Sequence, residues 1–343
     1  EMKPENIEWI ISSPDRLVSL ERLQNGDFSL EGNIVERATI ENAFEKNGGY
    51  LPSSIEFVQD QWRVVQIKPF RPIIYYAAFH DDEIFKCLLI SIRSLVCIGE
   101  YDGDIAVITS PDKVLKIEHI CSVLNIEKRL HIVCVDKYAD IVDFYLSRFR
   151  IEDQVFDCRQ PIVYLDTDVI IDKPIESFLM AVSGSDKLHV VPEGRLDEGH
   201  PESSGHWYGW RMMAEDGMPF HRHDRGFSSG IIAAGQETVA RDYFSIVLTC
   251  AEGFQKKTGR RRPFLGYDQC VANYVFLKTG VRSFDIIEEH ALLLRLKSGD
   301  NFAIPSSRKG FVHFLNVPTC EKRKAMEFYL EYLIKEKQDS PVM

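Results

Sequence analysis

The chain has 343 residues, of which 45% are hydrophobic, and this is enough for one large domain or two smaller ones. Its net charge of −11 excludes the overall basic character that is typical of proteins binding nucleic acid or anionic membranes. An anionic substrate would therefore need a local positive charge, which a metal ion could supply.

The eight cysteines show no Cys-x-x-Cys pairing, and most of them lie in apolar periodic segments. This pattern is typical of buried free thiols in a reducing compartment. No apolar run approaches the roughly 18 residues that span a bilayer, and no secretory leader is apparent. We therefore expect a cytoplasmic protein without a transmembrane segment, either free or peripheral to a membrane. Because the sequence begins at Glu1 and not at a methionine, the lack of a leader excludes nothing.

Residues 1–72 carry only short apolar patches and a turn cluster, and they contain no recognisable catalytic constellation. We interpret them as a small N-terminal extension that docks on the main domain or forms an interface.

A regular alternation of strands and helices begins at Ile73. Apolar strands are predicted at residues 73–79, 104–110 and 130–135, each followed by a helix, and the third helix is expected at about 138–156. This order predicts a parallel sheet with right-handed crossovers, that is, an α/β nucleotide-binding half. Because no Gly-x-Gly-x-x-Gly follows the first strand, a dinucleotide-binding fold is disfavoured.

The fourth strand, within the apolar run of residues 162–171, contains Asp166 and Asp168. Alternation on a strand would point both carboxylates to one side and Thr167 to the other. If the strand ends there, both acids lie at the carboxyl edge of the sheet, where open α/β sheets bind ligands. Neighbouring carboxylates repel, and a divalent cation that shares substrate phosphates would neutralise them. The alternative is that two turn-forming Asp residues simply end a strand.

After a predicted helix at 175–182 and a strand at 188–191, residues 193–225 form a long segment rich in Gly, His, Trp and Arg. A loop of this length is usually functional or mobile. Its aromatic residues Trp207, Tyr208 and Trp210 either stack on a sugar or anchor the loop. His221 and His223 are interpreted as loop polar groups, because no Cys or Glu lies at zinc-site spacing.

Further strands are predicted at 227–235, 281–287 and 311–316, with helices at 237–254, after Gly266 and after the last strand. His313 lies inside the last apolar strand. On its own such a histidine is more often a core residue than a metal ligand, so its role depends on that of the Asp pair.

The order of these pieces resembles the GT-A glycosyltransferases, in particular the retaining family eight that includes glycogenin and the bacterial lipopolysaccharide galactosyltransferases. The pieces are Asp81, Tyr145-Leu146-Ser147-Arg148, Tyr164-Leu165-Asp166-x-Asp168, Phe227-Ser228-Ser229-Gly230, Asp268-Gln269 and Val312-His313-Phe314. The resemblance covers residues 73–316. It implies an α/β GT-A fold, Rossmann-like, with a mostly parallel sheet and helices on both faces. Residues 73–172 would bind the nucleotide, 173–318 the acceptor, and 319–343 would form a C-terminal helix.

The resemblance also implies a chemistry, namely transfer of a hexose from a UDP-sugar to a hydroxyl with retention. Asp166, Asp168 and His313 would hold Mn²⁺ or Mg²⁺ against the diphosphate, which suits a cation that accepts both oxygen and imidazole ligands. The other residues implied are Gln269 beside the anomeric carbon, Asp268 on sugar hydroxyls, Asp81 on the uracil, Arg148 on the donor sugar or phosphate, and Ala78, Phe79, Thr167 and Ser229 in the donor site. The acceptor would be a glycan, a lipid-linked molecule or a protein. No nucleic-acid partner is expected, and a homo-oligomer is left open.

The sequence departs from this family in two places. The family continues His-Phe with a Gly and then a Lys-Pro-Trp that grips the diphosphate, whereas here residues 315–319 read Leu-Asn-Val-Pro-Thr. Lys322 or Arg323 could substitute from the next turn. Ser228 stands where the family usually has Asn. A divergent subfamily, or altered donor or acceptor contacts, would account for both changes.

Two other functions stay open. The Asp166 motif also matches the nucleophile loop of haloacid-dehalogenase phosphatases, but those enzymes carry it on their first strand and need a later Gly-Asp-x-x-x-Asp. Here Gly299-Asp300 is followed by no second Asp at that spacing. The other alternative is a non-catalytic nucleotide-sugar-binding or scaffold protein on a decayed transferase fold.

Overall fold

The computed structural model describes residues 8–13, 16–18, 21–22, 28–30, 33–36, 55–59, 63–135, 140–196, 207–221, 223–262, 266–299 and 302–339. Before residue 70 the description covers the backbone of the strands. These strands are β1 (Glu8–Ser13), β2 (Arg16–Val18), β3 (Glu21–Arg22), β4 (Phe28–Leu30), β5 (Asn33–Val35), β6 (Ile55–Gln59) and β7 (Arg63–Phe70). They form two antiparallel sheets, β2-β1-β7-β6 and β3-β4-β5. The N-terminal extension thus contains sheets that the sequence pattern did not predict, and its docking stays a prediction.

The next seven elements form the alternating strand-helix half that was predicted from the sequence pattern. They are β8 (Ile73–Ala77), α1 (Asp82–Cys97), β9 (Asp104–Thr109), α2 (Val114–Leu124), β10 (Leu130–Cys134), α3 (Ile141–Ser147) and β11 (Ile162–Leu165). The strands pair in parallel in the order β10-β9-β8-β11. Their carboxyl ends therefore share one edge, which is the edge where the Asp pair was expected.

The second half completes the main sheet and adds a small one. Its elements are β12 (Val169–Ile171), α4 (Glu176–Val182), β13 (Leu188–Arg195), α5 (Trp210–Glu215), β14 (Arg225–Ala234), α6 (Glu237–Thr258), α7 (Tyr267–Thr279), β15 (Arg282–Ser283), β16 (Ala291–Arg295), β17 (Phe311–Leu315) and α8 (Thr319–Asp339). The main sheet has the order β10-β9-β8-β11-β14-β13-β15, in which β14 is antiparallel to both neighbours. Strands β12, β17 and β16 form a separate sheet.

Both faces of the main sheet are buried, which explains the continuous apolar runs in the sequence. Along β8, Ile73 and Tyr75 belong to one hydrophobic cluster while Ile74 and Tyr76 belong to the other. Residues of α3, α6 and α7 pack in the first cluster, and residues of α1, α2 and α4 pack in the second. The predicted α/β fold with helices on both faces is therefore confirmed.

The predicted helix at 138–156 is wrong, because within the described residues only Ile141–Ser147 is α-helical and a 3₁₀ turn follows at Gln154–Phe156. The Asp140 carboxylate starts the helix by accepting hydrogen bonds from the backbone N–H groups of Val142 and Asp143. At the end of the helix, the hydroxyl of Tyr75 donates to the carbonyl of Arg148 at 2.6 Å. A buried tyrosine from another element thus satisfies a carbonyl group where this helix ends.

The predicted loop at 193–225 is partly wrong, because β13 continues to Arg195 and helix α5 lies within it. The apolar residues Met212 and Met213 are buried and hold α5 against the core. The predicted strand at 281–287 is reduced to two residues, and the strand β16 was missed. Among the described strands, β16 pairs with β17, about 20 residues later, and lies at the edge of the small sheet.

Among the described helices, none has the length and apolar character needed to span a membrane.

Candidate active site

The Asp-x-Asp motif lies in a turn at the carboxyl end of β11. Strand β11 ends at Leu165, and the N–H of Val169 donates to the carbonyl of Asp166 at 3.2 Å to close the turn. Strand β12 then begins in the other sheet. The two carboxylates were expected at the strand end, which is correct. The alternation argument is wrong, because a turn and not a continuous strand orients Asp166 and Asp168.

Strand pairing brings His313 to this turn across about 145 residues of sequence. Val169 on β12 lies opposite His313 on β17, and the N–H of Phe314 donates to the carbonyl of Asp168 at 3.0 Å. The Nε2 atom of His313 lies 3.1 Å from Oδ1 of Asp168 and 3.7 Å from Oδ2 of Asp166. One ligand atom from each of the three side chains lies within 4.8 Å of the others. The structure therefore brings together the three side chains that the sequence analysis chose.

These three side chains fit a divalent cation. Within the described part of the chain, Oδ1 of Asp168 and Nδ1 of His313 are buried and have no hydrogen-bond partner, which is costly unless another ligand uses them. A Cβ atom at Gly230 would lie 2.7 Å from Oδ2 of Asp166 and 2.8 Å from Nδ1 of His313, so glycine keeps the space between them open. Two carboxylates and an imidazole suit Mn²⁺.

Two buried side chains hold the carboxylate of Asp166 through its Oδ1 atom. The hydroxyl of Tyr164 donates to its Oδ1 at 2.6 Å, and Nη2 of Arg148 lies 3.3 Å from the same atom. Burial raises the pKa of Tyr164 well above its ordinary value, so this hydroxyl stays a donor. The Oδ2 atom of Asp166 is left facing His313.

The carboxylate of Asp168 is shared between His313 and Lys322 of helix α8. The ammonium Nζ of Lys322 donates to Oδ2 of Asp168 at 2.7 Å. Burial alone would raise the pKa of Asp168, but Lys322 and His313 outweigh burial and hold that pKa far below its ordinary value. Burial likewise opposes the charge of Lys322, yet Asp168 prevails and raises the pKa of the ammonium. Both groups of the pair are therefore charged.

Arg148 links the Asp-x-Asp turn to helix α7. Its Nη1 donates to the carbonyl and to the hydroxyl oxygen of Ser229, each at 2.9 Å, and lies 3.4 Å from Oδ2 of Asp268. The guanidinium also packs over the ring of Tyr164 at 5.0 Å. Burial opposes its charge, but Asp166, Tyr164 and Asp268 outweigh burial and raise the pKa of Arg148.

The first turn of α7 places Asp268 and Gln269 beside this network. The Ser229 hydroxyl donates to Asp268 at 3.0 Å, and the Ser229 N–H donates to the side-chain oxygen of Gln269 at 3.1 Å. The amide nitrogen of Gln269 donates to Glu193 at 3.2 Å, and Glu193 also accepts from Arg295 at 3.2 Å. Glu193 was not predicted, and its only signal in the sequence was a charged residue two positions after the buried residues 188–191 of β13.

A cavity of 940 Å³ opens beside the Asp-x-Asp turn, and this volume is suitable for a nucleotide-sized ligand. Of the residues proposed for the donor site, those that line it are Asp81, Arg148, Asp166, Thr167 and Asp168. Residues that sequence reasoning did not assign also line it, including Ala77, Ser110, Lys113 and Tyr145. Lys322 is part of the lining, whereas Arg323 pairs instead with Glu83 and Glu327.

Six other proposed residues lie outside the lining of this cavity: Ala78, Phe79, Ser229, Asp268, Gln269 and His313. Ala78 and Phe79 are completely buried. The backbone groups of Ala78 are already used, because its N–H donates to Ile108 and its carbonyl accepts from the hydroxyl of Thr109. Asp81 has a structural role as well, since its carboxylate caps helix α1 by accepting from the N–H of Ile84 at 3.2 Å.

The aromatic residues of the 193–225 segment divide into anchors and one exposed ring. Tyr208 is buried against Gly226, and Trp210 packs on the hydrophobic core. Trp207 is 42% exposed and lies against Gly266, directly before helix α7. Among these three aromatic residues, Trp207 therefore offers the most exposed stacking surface. His221 and His223 are exposed, as the sequence indicated.

The charges around the turn favour a cation. The carboxylates of Asp166, Asp168 and Asp268 face the permanent cations of Arg148 and Lys322. One negative charge is left over in this group, so a diphosphate would be repelled until a divalent ion reverses the sign.

Solved structures provide the comparison for this fold. The chain superimposes on galactosyltransferase LgtC in complex with donor and acceptor sugar analogues with a TM-score of 0.50 and 11% identity, covering 79% of this chain and 98% of that one. An active-site mutant of LgtC gives a TM-score of 0.51 and 11% identity over 79% and 97% of the two chains. Mouse xyloside xylosyltransferase 1 gives 0.45 and 11% over 71% and 97%. No protein-family model and no curated protein matches the sequence. At the level of fold, the resemblance deduced from the sequence is confirmed: the chain has the GT-A glycosyltransferase fold.

Proposed function

We propose that the protein is a metal-dependent glycosyltransferase that moves a hexose from a UDP-sugar to an acceptor hydroxyl with retention. The observation that carries this proposal is the convergence of Asp166, Asp168 and His313 beside a cavity of 940 Å³. A GT-A fold alone would not be sufficient, because one fold can serve many functions.

The side chains divide the work as follows. Asp166, Asp168 and His313 hold Mn²⁺ or Mg²⁺, and a bound cation of this kind stabilises the negative charge that develops on a departing diphosphate. Asp81, at the N-terminus of α1 in the cavity wall, is assigned to the uracil. Arg148, which is fixed by Ser229, is assigned to the donor sugar or phosphate.

The sugar itself is assigned to the first turn of α7. Gln269 is held at both ends of its amide, by the N–H of Ser229 and by Glu193, so its orientation is fixed before a ligand binds. Asp268 lies beside Arg148 and is assigned to the sugar hydroxyls. Trp207, exposed next to the start of this helix, is assigned to the acceptor, whether that is a glycan, a lipid-linked molecule or a protein.

A binding experiment with a matched control tests the metal site. UDP is titrated by calorimetry, with and without Mn²⁺, into the wild type, Asp168→Asn and Asp242→Asn. Asp242 is exposed on helix α6 and is not part of the cavity lining, so its substitution removes the same charge away from the site. We expect Asp168→Asn to lower Mn²⁺-dependent UDP affinity by at least about a hundredfold, since even outer-shell partners of metal ligands contribute about ten- to a hundredfold. Asp242→Asn should bind like the wild type.

Turnover then distinguishes the competing functions. Mn²⁺-dependent release of UDP from a UDP-hexose, with transfer to water or to an acceptor, supports the transferase, and the anomeric configuration of the product tests retention. Release of inorganic phosphate from a simple phosphate ester would instead support the phosphatase. UDP-sugar binding without any turnover would identify a scaffold. Equal UDP affinity in Asp168→Asn and wild type would refute the proposed metal site.

The proposed compartment is the cytoplasm. All eight cysteines lie in the described part of the chain, and each is a free thiol. This agrees with a reducing environment.

A further inference from the structure

Lys322 occupies an unusual position for a lysine, because its ammonium is mostly buried against a candidate metal ligand. Its side chain is 18% exposed, and Nζ lies 2.7 Å from Oδ2 of Asp168. The residue belongs to the first turns of α8, where its N–H donates to the carbonyl of Pro318, and its side chain lines the cavity next to Thr319. The lysine backbone is thus fixed, while its flexible stem can carry the charge to another partner.

A cation bound at Asp168 would lie close to the ammonium of Lys322. Its Oδ1 faces His313 and has no hydrogen-bond donor among the described residues, whereas Oδ2 is taken by Lys322. A divalent ion bound between Asp168 and His313 would lie within a few ångströms of the lysine ammonium, and like charges at that distance repel. Either the ion binds weakly or the ammonium moves.

We propose that Lys322 exchanges partners: it is the counter-ion of Asp168 in the metal-free site, and a divalent cation displaces it onto the diphosphate of the donor. This inference rests on the proposed function and assigns one more residue to the same site. Lys322 thereby couples cation binding to nucleotide binding, because phosphate supplies the displaced ammonium with a new anionic partner.

The surrounding charges determine where the ammonium can go. The neighbouring Arg323 is engaged by Glu83 and Glu327, and Arg148 is engaged by Ser229 and Asp268. A hard cation held by carboxylates usually takes its other ligands from substrate phosphate, so bound phosphate oxygens would lie beside the position that Lys322 leaves. A charge-assisted hydrogen bond to phosphate replaces the one to Asp168.

The first test uses Mn²⁺ alone, without nucleotide. Calorimetry compares the wild type with Lys322→Met and Lys324→Met. Lys324 lies on the same helix but lines a separate cavity beside Phe328, so its substitution changes the net charge equally. We expect Lys322→Met to bind Mn²⁺ at least about tenfold more tightly, because only the wild type must break a hydrogen bond between charged groups. Lys324→Met should stay within about twofold of the wild type, since exposed charges contribute little.

The second test uses UDP at saturating Mn²⁺ and predicts the opposite sign. Lys322→Met should bind UDP about tenfold more weakly than the wild type, because one charged hydrogen bond to phosphate is lost. Replacement of a lysine that merely supported the structure would not raise Mn²⁺ affinity while lowering UDP affinity. Mn²⁺ affinity in Lys322→Met equal to or below that of the wild type, or unchanged UDP affinity, overturns the proposal.

A measurement on the wild type covers the case in which Lys322→Met does not fold. Lysines are reductively methylated with ¹³C, which keeps their charge, and the Lys322 signal is identified by its loss in Lys322→Arg. We expect this signal to shift on addition of Mg²⁺ alone and again on addition of UDP, and an unmoved signal overturns the exchange. If Asp168→Asn still abolishes Mn²⁺ binding in that case, the metal site stands and only the exchange fails. Unchanged Mn²⁺ binding in Asp168→Asn would instead remove the proposed function.

Discussion

Replacing Gly230 with alanine should damage the metal site by a single methyl group. The new Cβ would lie 2.7 Å from Oδ2 of Asp166 and 2.8 Å from Nδ1 of His313, and closer still to Cε1 of that ring. Neither neighbour can withdraw easily, because the His313 side chain is 4% exposed on a paired strand and Asp166 is held by Tyr164 and Arg148. Overpacking of this kind costs about 1–3 kcal/mol of unfolding free energy.

Gly253→Ala is the matched control. Gly253 lies in the exposed interior of helix α6, and a Cβ there meets no atom of the described structure within 4 Å. The same substitution should therefore stabilise the protein by about 0.5–1 kcal/mol, since alanine is the better helix former. Urea unfolding gives both values, and Mn²⁺ calorimetry should show loss of binding in Gly230→Ala only. Wild-type stability together with wild-type Mn²⁺ affinity in Gly230→Ala would refute the packing argument for this site.

Two further predictions concern the acceptor side and the Asp168 pair. Trp207→Ala should raise the apparent KM for acceptor, or increase hydrolysis of the donor relative to transfer, with UDP affinity nearly unchanged, because its exposed ring lies beside the start of α7. Phe328→Ala, which removes a 53% exposed ring on α8, serves as the control, and an equal effect in both variants would contradict the assignment. For Asp168, whose folded pKa is depressed, the stabilisation of the metal-free protein is fully present above the unfolded pKa and is lost as pH falls towards the folded pKa. Between pH 5 and pH 3 this group should account for about 1 kcal/mol of lost stability, and Asp168→Asn should lack that part of the acid loss in urea titrations at each pH. An equal loss of unfolding free energy between pH 5 and pH 3 in the two proteins would show that Asp168 and Lys322 do not pair.

The sequence by itself determined the parts of this protein that depend on local patterns. Continuous apolar runs separated by helical periodicity predicted four parallel strands, and the interrupted run at Asp166 predicted ligand binding at the carboxyl edge. These conclusions needed only neighbours in sequence, since a strand that is buried on both faces of a sheet is apolar at nearly every residue. The choice of His313 came from resemblance, because no local pattern distinguishes a metal-binding histidine in an apolar strand from a core histidine.

Only the tertiary structure decided which distant groups meet at the site. The register of β12 against β17 places His313 beside the turn. A shift of this register by one residue would have turned the His313 side chain to the opposite face of the sheet. The burial of Lys322 against Asp168 and the contact of Gln269 with Glu193 likewise depend on where α8 and β13 pack. The end of α3 was mispredicted for the same reason, because Tyr75, about 70 residues away, binds its last turn. Side-chain type is a local property, but partners separated by 70 to 160 residues are selected by the packing of the whole core, which no local pattern encodes.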